Sequence, residues 1–148
     1  MNIKRANFKM IEAELYCYEE SKRQLELLRK EIIESTPSHE VNVKTGPGDP
    51  TQTKAIKLVN SREIIEMERR LKAIDKAIEI LKTSNEPRKY ELLRMKYFER
   101  RYTDVGICME LGISERTFYR WRREIIELIA NFLGCRVWNI IYRKIGRN

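Results

Sequence analysis

The stretch TDVGICMELGISERTFYRWRR, residues 103–123, has the pattern of two helices joined by a tight turn. Gly112 occupies the position where such a turn needs a positive φ, which glycine adopts at the least cost. Ser114 is placed to cap the second helix, because its hydroxyl can accept a hydrogen bond from the backbone amide of Thr117. The sequence therefore predicts a helix-turn-helix, with a first helix over about residues 103–111 and a second over residues 114–132.

The second helix has two chemically different faces when its side chains are placed at 100° per residue. One face is apolar and predicts a buried anchor, formed by Phe118, Trp121, Ile125 and Ile129. The other face is cationic and includes a tyrosine that can stack, as expected of a helix that enters the major groove of DNA. Its members are Arg116, Tyr119, Arg120 and Arg123.

The cationic face supplies candidates for contacts with base edges. Arg116, Arg120 and Arg123 are candidates for guanine, because a guanidinium can donate to O6 and N7 together. Glu115 can accept from the N4 amino group of cytosine, and its position also suits the positive end of the helix dipole. Thr117, near the start of the helix, is a candidate for a base or a phosphate.

A second set of residues is predicted to grip the phosphate backbone, as residues at the start of such a motif usually do. Arg122 lies toward the apolar side of the helix, so we expect its stem to pack while its guanidinium reaches outward. The predicted phosphate contacts are Arg100, Arg101, Tyr102, Thr103 and Arg122.

The net charge of +8 is unevenly distributed along the chain. Residues 1–85 carry 16 Lys and Arg against 14 Asp and Glu, a net of +2, whereas residues 86–148 carry 14 against 8, a net of +6. The basic excess therefore lies with the helix-turn-helix, as binding to double-stranded DNA requires. Neither an apolar run of about 18 residues nor a signal-peptide core is present, so we expect no membrane partner and an intracellular location.

The sequence offers no recognisable catalytic or metal-binding pattern. Cys17, Cys108 and Cys135 are widely spaced and odd in number, which fits neither a disulfide framework nor a zinc site, and we expect them to be reduced and partly buried. His39 is the only histidine and lies in a polar linker. Without a phosphate-binding glycine loop or an activated nucleophile, the pattern predicts neither cofactor nor metal, and a binding protein rather than an enzyme.

The rest of the chain predicts an all-α fold with a long N-terminal helical hairpin. A first helix is predicted over residues 7–35 and a flexible loop over residues 36–50, where glycines and prolines exclude regular helix. Asp49 and Pro50 then form a start signal for a helix that reaches about Thr83. Its apolar residues alternate spacings of three and four, the pattern of a heptad seam: Ile64, Met67, Leu71, Ile74, Ile78 and Leu81.

We expect so long a helix to pair with the first helix as a hairpin, with a copy of itself in a dimer, or with both. The chain is accordingly divided into an oligomerisation region, residues 1–85, and a DNA-binding domain, residues 86–148. A third helix of about 12 residues, after Pro87, is expected to complete the core of that domain. The apolar and basic tail after Gly134 is expected to cover this core or to contact a partner protein.

Three passages carry a resemblance to a known family. They are ELYCYEESKRQLELLRKEIIEST at residues 14–36, GDPTQTKAIKLVNS at residues 48–61 running on to Met67–Asp75, and YRWRREIIELIA at residues 119–130. Together they resemble the RinA-type phage transcriptional activators, a group allied to the ArpU-like late regulators.

The resemblance implies a regulator of phage late genes, which encode packaging and structural proteins, in the cytoplasm of a bacterial host. It also implies that the C-terminal domain is similar to region 4 of bacterial sigma factors. The predicted partners of the chain are double-stranded DNA, from the helix-turn-helix, and a second copy of the chain, from the long helices, with bacterial RNA polymerase as a further candidate. The DNA-reading positions of the family map onto Glu115, Arg116, Thr117, Tyr119, Arg120 and Arg123.

Three other functions remain open at the level of sequence. A small terminase subunit also combines a helix-turn-helix with long helices, but it assembles rings that mark viral DNA for packaging. A sigma factor that binds core polymerase is disfavoured, because nothing before residue 85 resembles a promoter-melting region. An adaptor protein with a merely solubilising basic face would not depend on Arg116 or Arg120.

Overall fold

The computed structural model describes residues 3–35 and 50–134, with the side chains of residues 35 and 50–60 left out of the description. Every regular element in these ranges is helical, which confirms the predicted all-α class. The helices are α1 (Arg5–Ser35), α2 (Pro50–Thr83), α3 (Arg88–Leu93, continued by a π-helical segment Arg94–Glu99), α4 (Asp104–Leu111) and α5 (Glu115–Phe132). The predicted loop at residues 36–49 and the tail at residues 135–148 lie outside the described residues.

The limits of α2 agree with the start and stop signals in the sequence. The helix begins at Pro50, where the missing amide costs nothing because the first amides of a helix have no partner within it. It ends at Thr83, and hydroxyls satisfy carbonyls at this end. Thr83 Oγ1 donates to the carbonyl of Glu79 at 3.0 Å, and Ser84 Oγ donates to the carbonyl of Leu81 at 2.8 Å.

The predicted heptad seam of α2 is buried within a single chain. Ile64, Leu71, Ile74 and Leu81 are buried, and Met67 and Ile78 are partly buried against the same core. α1 packs on α2 and adds four buried side chains of its own, Ile11, Leu15, Tyr18 and Leu25. The seam therefore serves intramolecular packing, and a dimer would have to use other residues.

One core joins the two predicted regions, because α5 packs against α1, α2, α3 and α4. The buried side chains of this core come from residues before and after position 85 in the sequence, and they form one continuous cluster. The division at residue 85 is therefore not a division between two cores. As a division between oligomerisation and DNA binding it stays a prediction.

Two details differ from the sequence-based expectation. The third helix is α-helical only to Leu93, and its second half is a wider π-helical segment closed by a hydrogen bond from the Arg100 amide to the Met95 carbonyl, 3.2 Å long. Cys108 is buried as expected, but Cys17 is exposed, so the expectation of a partly buried thiol is wrong there. Cys135 lies outside the described residues. None of the described helices is long and apolar enough to cross a membrane.

Candidate nucleic-acid interface

The turn between α4 and α5 has the geometry that the sequence predicts. Gly112 ends α4 in the left-handed conformation, with φ 61° and ψ 42°. Ser114 caps α5, and its Oγ accepts from the Thr117 amide at 3.2 Å. Thr103 caps α4 in the same way, accepting from the Gly106 amide at 3.1 Å. These two caps fix where both helices begin and hold the first turn of α5 at the surface.

The predicted anchor of α5 is confirmed, since Phe118, Trp121, Ile125 and Ile129 are all buried. A second buried set was not predicted. It lies beside the first on the side of α5 that carries Arg122, and its members are Ile126, Ala130 and Leu133. The sequence of α5 does not show which helix covers Ile126, because the helices that could do so, α1 and α2, lie far away in the chain.

The cationic face of α5 is exposed. Tyr119 is 53% exposed, and the Arg120 side chain is 64% exposed. Arg116, Arg123 and Glu115 are also exposed, while Thr117 is half-buried beside the capping serine. The structure thus brings the predicted base-reading residues together on one open side of one helix.

The positive charge of this face is only partly neutralised by neighbouring acids. Glu124 pairs with Lys89 of α3 at 2.7 Å and reaches Arg120 Nε only at 3.9 Å. Among the described residues, Arg116 and Arg123 have no ion-pair partner. Unpaired guanidinium groups on a rigid helix are available for bidentate contacts with an acceptor outside the protein.

Arg122 departs from its expected position. Its Nη2 and Nε contact Glu12 Oε1 of α1 at 2.5 and 2.7 Å, and its guanidinium lies over the Phe8 ring at 5.1 Å. The Arg122 side chain is 23% exposed and that of Glu12 is 15% exposed. The expectation that the guanidinium reaches outward is wrong, because α1 packs on this side of α5 and supplies a carboxylate.

Tyr97 completes this cluster from the π-helical segment. Its hydroxyl donates to Glu12 Oε1 at 2.8 Å. Burial, and then the acceptor Glu12, raise the pKa of Tyr97 well above its usual range, so the phenol remains a donor at neutral pH. One carboxylate of α1 is therefore bonded to both the π-helical segment and α5.

In the segment before α4, one predicted phosphate contact is bonded within the protein and the next three are exposed. Arg100 has φ 56°, and its guanidinium donates to the carbonyls of Tyr97 (3.2 Å) and Tyr16 while lying over the Tyr16 ring at 5.2 Å. Arg101, Tyr102 and Thr103 are exposed. The structure therefore leaves the last three of these predicted phosphate contacts open and turns the first toward α1.

No group of His, Cys, Asp and Glu side chains that could hold a metal ion occurs in the described part of the chain. Apart from the carboxylate of Glu115, the site consists of arginines, hydroxyls and a tyrosine, which are groups that can donate hydrogen bonds or stack.

Comparison with known proteins places the chain in a family. Residues 9–131 match the family described as "protein of unknown function (DUF722)". The chain is similar to the transcriptional activator rinA of Staphylococcus phage phi11, with 28% identity over 133 residues, which cover 89% of this chain and 94% of the relative. No solved structure matches the chain significantly. Because the family match covers most of the chain, the protein belongs to the DUF722 family, and the predicted resemblance to the RinA-type phage activators is confirmed.

Proposed function

We propose that this protein is a sequence-specific, DNA-binding transcriptional activator of phage late genes that reads the major groove with α5. The observation that carries the proposal is the open face of Arg116, Tyr119, Arg120 and Arg123 on a helix held rigid by its cap and buried side. The name of the phage phi11 relative supports activation of transcription as the output.

Base recognition is assigned to the first three turns of α5. The guanidinium groups of Arg116, Arg120 and Arg123 would donate to guanine O6 and N7, with each bidentate pair discriminating by about 1–3 kcal/mol. Glu115 would accept from cytosine N4, and Tyr119 would stack or contact a phosphate. Thr117 is half-buried beside Ser114, so we assign it to a phosphate rather than to a base.

Backbone contacts are assigned to the exposed start of α4. Arg101, Tyr102 and Thr103 can donate to phosphate oxygens, which sets the register of the protein on DNA without reading sequence. Arg100 and Arg122 are engaged with α1 and are assigned to positioning that helix instead.

We further propose that the protein binds as a homodimer, with two α5 helices on two half-sites. The heptad seam is already buried, so the dimer contact must lie elsewhere.

The test is the double substitution Arg116→Ala with Arg120→Ala, measured by fluorescence anisotropy on DNA from upstream of the phage packaging genes. Losing two bidentate contacts should weaken binding by about 30-fold or more, and the preference over scrambled DNA should fall with it. The matched control, Arg23→Ala with Lys30→Ala, removes the same charge from the exposed side of α1. If both double variants lose the same small amount of affinity, the face acts only through net charge and the proposal is wrong.

A further inference from the structure

The beginning of α1 lies next to the proposed reading face. A groove with a volume of about 290 Å³ separates the first turns of α1 from the middle of α5. One wall is lined by Ile3, Arg5 and Phe8, and the other by four residues of α5, namely Tyr119, Arg122, Arg123 and Glu127. Two of these four, Tyr119 and Arg123, belong to the face assigned above to DNA. A duplex bound by that face would therefore pass along the groove.

The first turns of α1 are held against α5 at a fixed distance. Phe8 packs under the Arg122 guanidinium, and Glu12, one turn later, accepts both of its close contacts. By helical position Arg5 lies on the same side of α1 as Phe8 and Glu12, where it lines the groove, and Lys9 lies about 40° further round the helix, beyond the groove wall. The position of Arg5 relative to Arg123 is thus set by the packing of α1 on α5.

The charge at this end of α1 is positive and available. Lys4, Arg5 and Lys9 are exposed, and within the described residues none of them has an ion-pair partner. The nearby carboxylate of Glu12 is already neutralised by Arg122, which leaves Glu127 as the acid in the groove wall. A groove with an arginine on each wall suits a phosphate backbone, which offers charge without base information.

We infer that the first turns of α1 form part of the DNA interface, with Arg5 and Lys9 contacting backbone phosphates beside the major groove that α5 occupies. This inference rests on the proposed function, since it takes α5 as the reading helix. It assigns α1 a second role besides covering the core: the helix extends the footprint of the DNA-binding face. Arg5 and Lys9 share one side of α1, one turn apart, so both can follow a single strand.

The test is Arg5→Ala with Lys9→Ala in the full chain, titrated at several salt concentrations against two duplexes of about 30 base pairs. One duplex is random in sequence and the other comes from upstream of the phage packaging genes. Loss of two phosphate contacts should reduce the slope of log Kd against log salt by about 2 and weaken binding to both duplexes by the same factor. Neither residue packs in the core, so thermal stability should not change.

The control is Arg23→Ala with Lys30→Ala, whose residues lie roughly 27 Å or more along the same helix from Arg5. The inference is overturned if the slope of log Kd against log salt falls no more than it does for the control. It is also overturned if affinity is lost only for the phage duplex. If Arg116→Ala with Arg120→Ala weakens binding while the α1 variant does not, the inference fails and the proposed function stands. If the wild-type protein binds neither duplex, the proposed function fails and the inference with it.

Discussion

Glu12 is the residue at which three segments of the fold meet. Its carboxylate accepts from Arg122 of α5 and from the hydroxyl of Tyr97 in the π-helical segment. In the sequence, Arg122 is recognisable as an arginine on the apolar side of an amphipathic helix. Its partner is not recognisable, because Glu12 lies 110 positions earlier in a helix with many exposed acids.

Substituting Glu12→Gln tests whether this cluster holds α1 on α5. The amide keeps the shape of the side chain but leaves the Arg122 guanidinium without a counter-charge. Hydrogen bonds to charged groups typically contribute about 1.5–3 kcal/mol, so the free energy of unfolding should fall by about that amount in urea denaturation. Glu19→Gln, an exposed acid on the same helix, should change it by less than about 0.5 kcal/mol. Equal effects of the two substitutions would show that the contact does not stabilise the fold.

At the scale of elements, helices α4 and α5 and the turn between them were predictable because their signals are local. A glycine at positive φ, two capping hydroxyls and an apolar face with helical spacing all lie within 30 residues. The second buried side of α5 was not predictable, since it depends on where α1 and α2 pack. The same holds for the π-helical segment, where the ordinary helical spacing of the apolar residues does not reveal the wider turn.

The packing of α1 on α2 has a pH-sensitive contact. The Tyr18 hydroxyl of α1 donates to Asp75 Oδ1 of α2. Burial, and then this hydrogen bond, raise the pKa of Tyr18 to about 12, compared with about 10 in an unfolded chain. Because the folded-state pKa is the higher one, this stabilisation is complete below about pH 10 and is lost as the pH rises through about 12.

Tyr18→Phe should therefore lower the free energy of unfolding by about 0.5–1.5 kcal/mol at pH 8. The difference from wild type should shrink in urea denaturation at about pH 11–12, where the wild-type phenol begins to ionise. Tyr102→Phe removes an exposed hydroxyl and should show no such pH dependence. A Tyr18→Phe difference that stays constant over this range would contradict the assigned contact.

At the scale of the whole molecule, one core unites the long helices with the proposed reading helix. The sequence separates the two regions by composition, with most of the net charge after residue 85. The structure shows that α1 and α2 cover α5 and bring the basic start of α1 beside Arg123. In the proposed dimer, this packing would link the contact between the two subunits to the spacing of the two α5 helices.

Sequence-specific binding of DNA by a dimer can be tested by measuring affinity and mass in one titration. Wild-type protein is added, at about 150 mM salt, to DNA from upstream of the phage packaging genes and to a scrambled copy, with light scattering on each complex. We expect two chains on each phage fragment and a preference over scrambled DNA of about 1,000-fold or more. Equal affinity for both fragments, or a ring of eight or more subunits, would contradict this expectation, and the ring would indicate a DNA-packaging subunit.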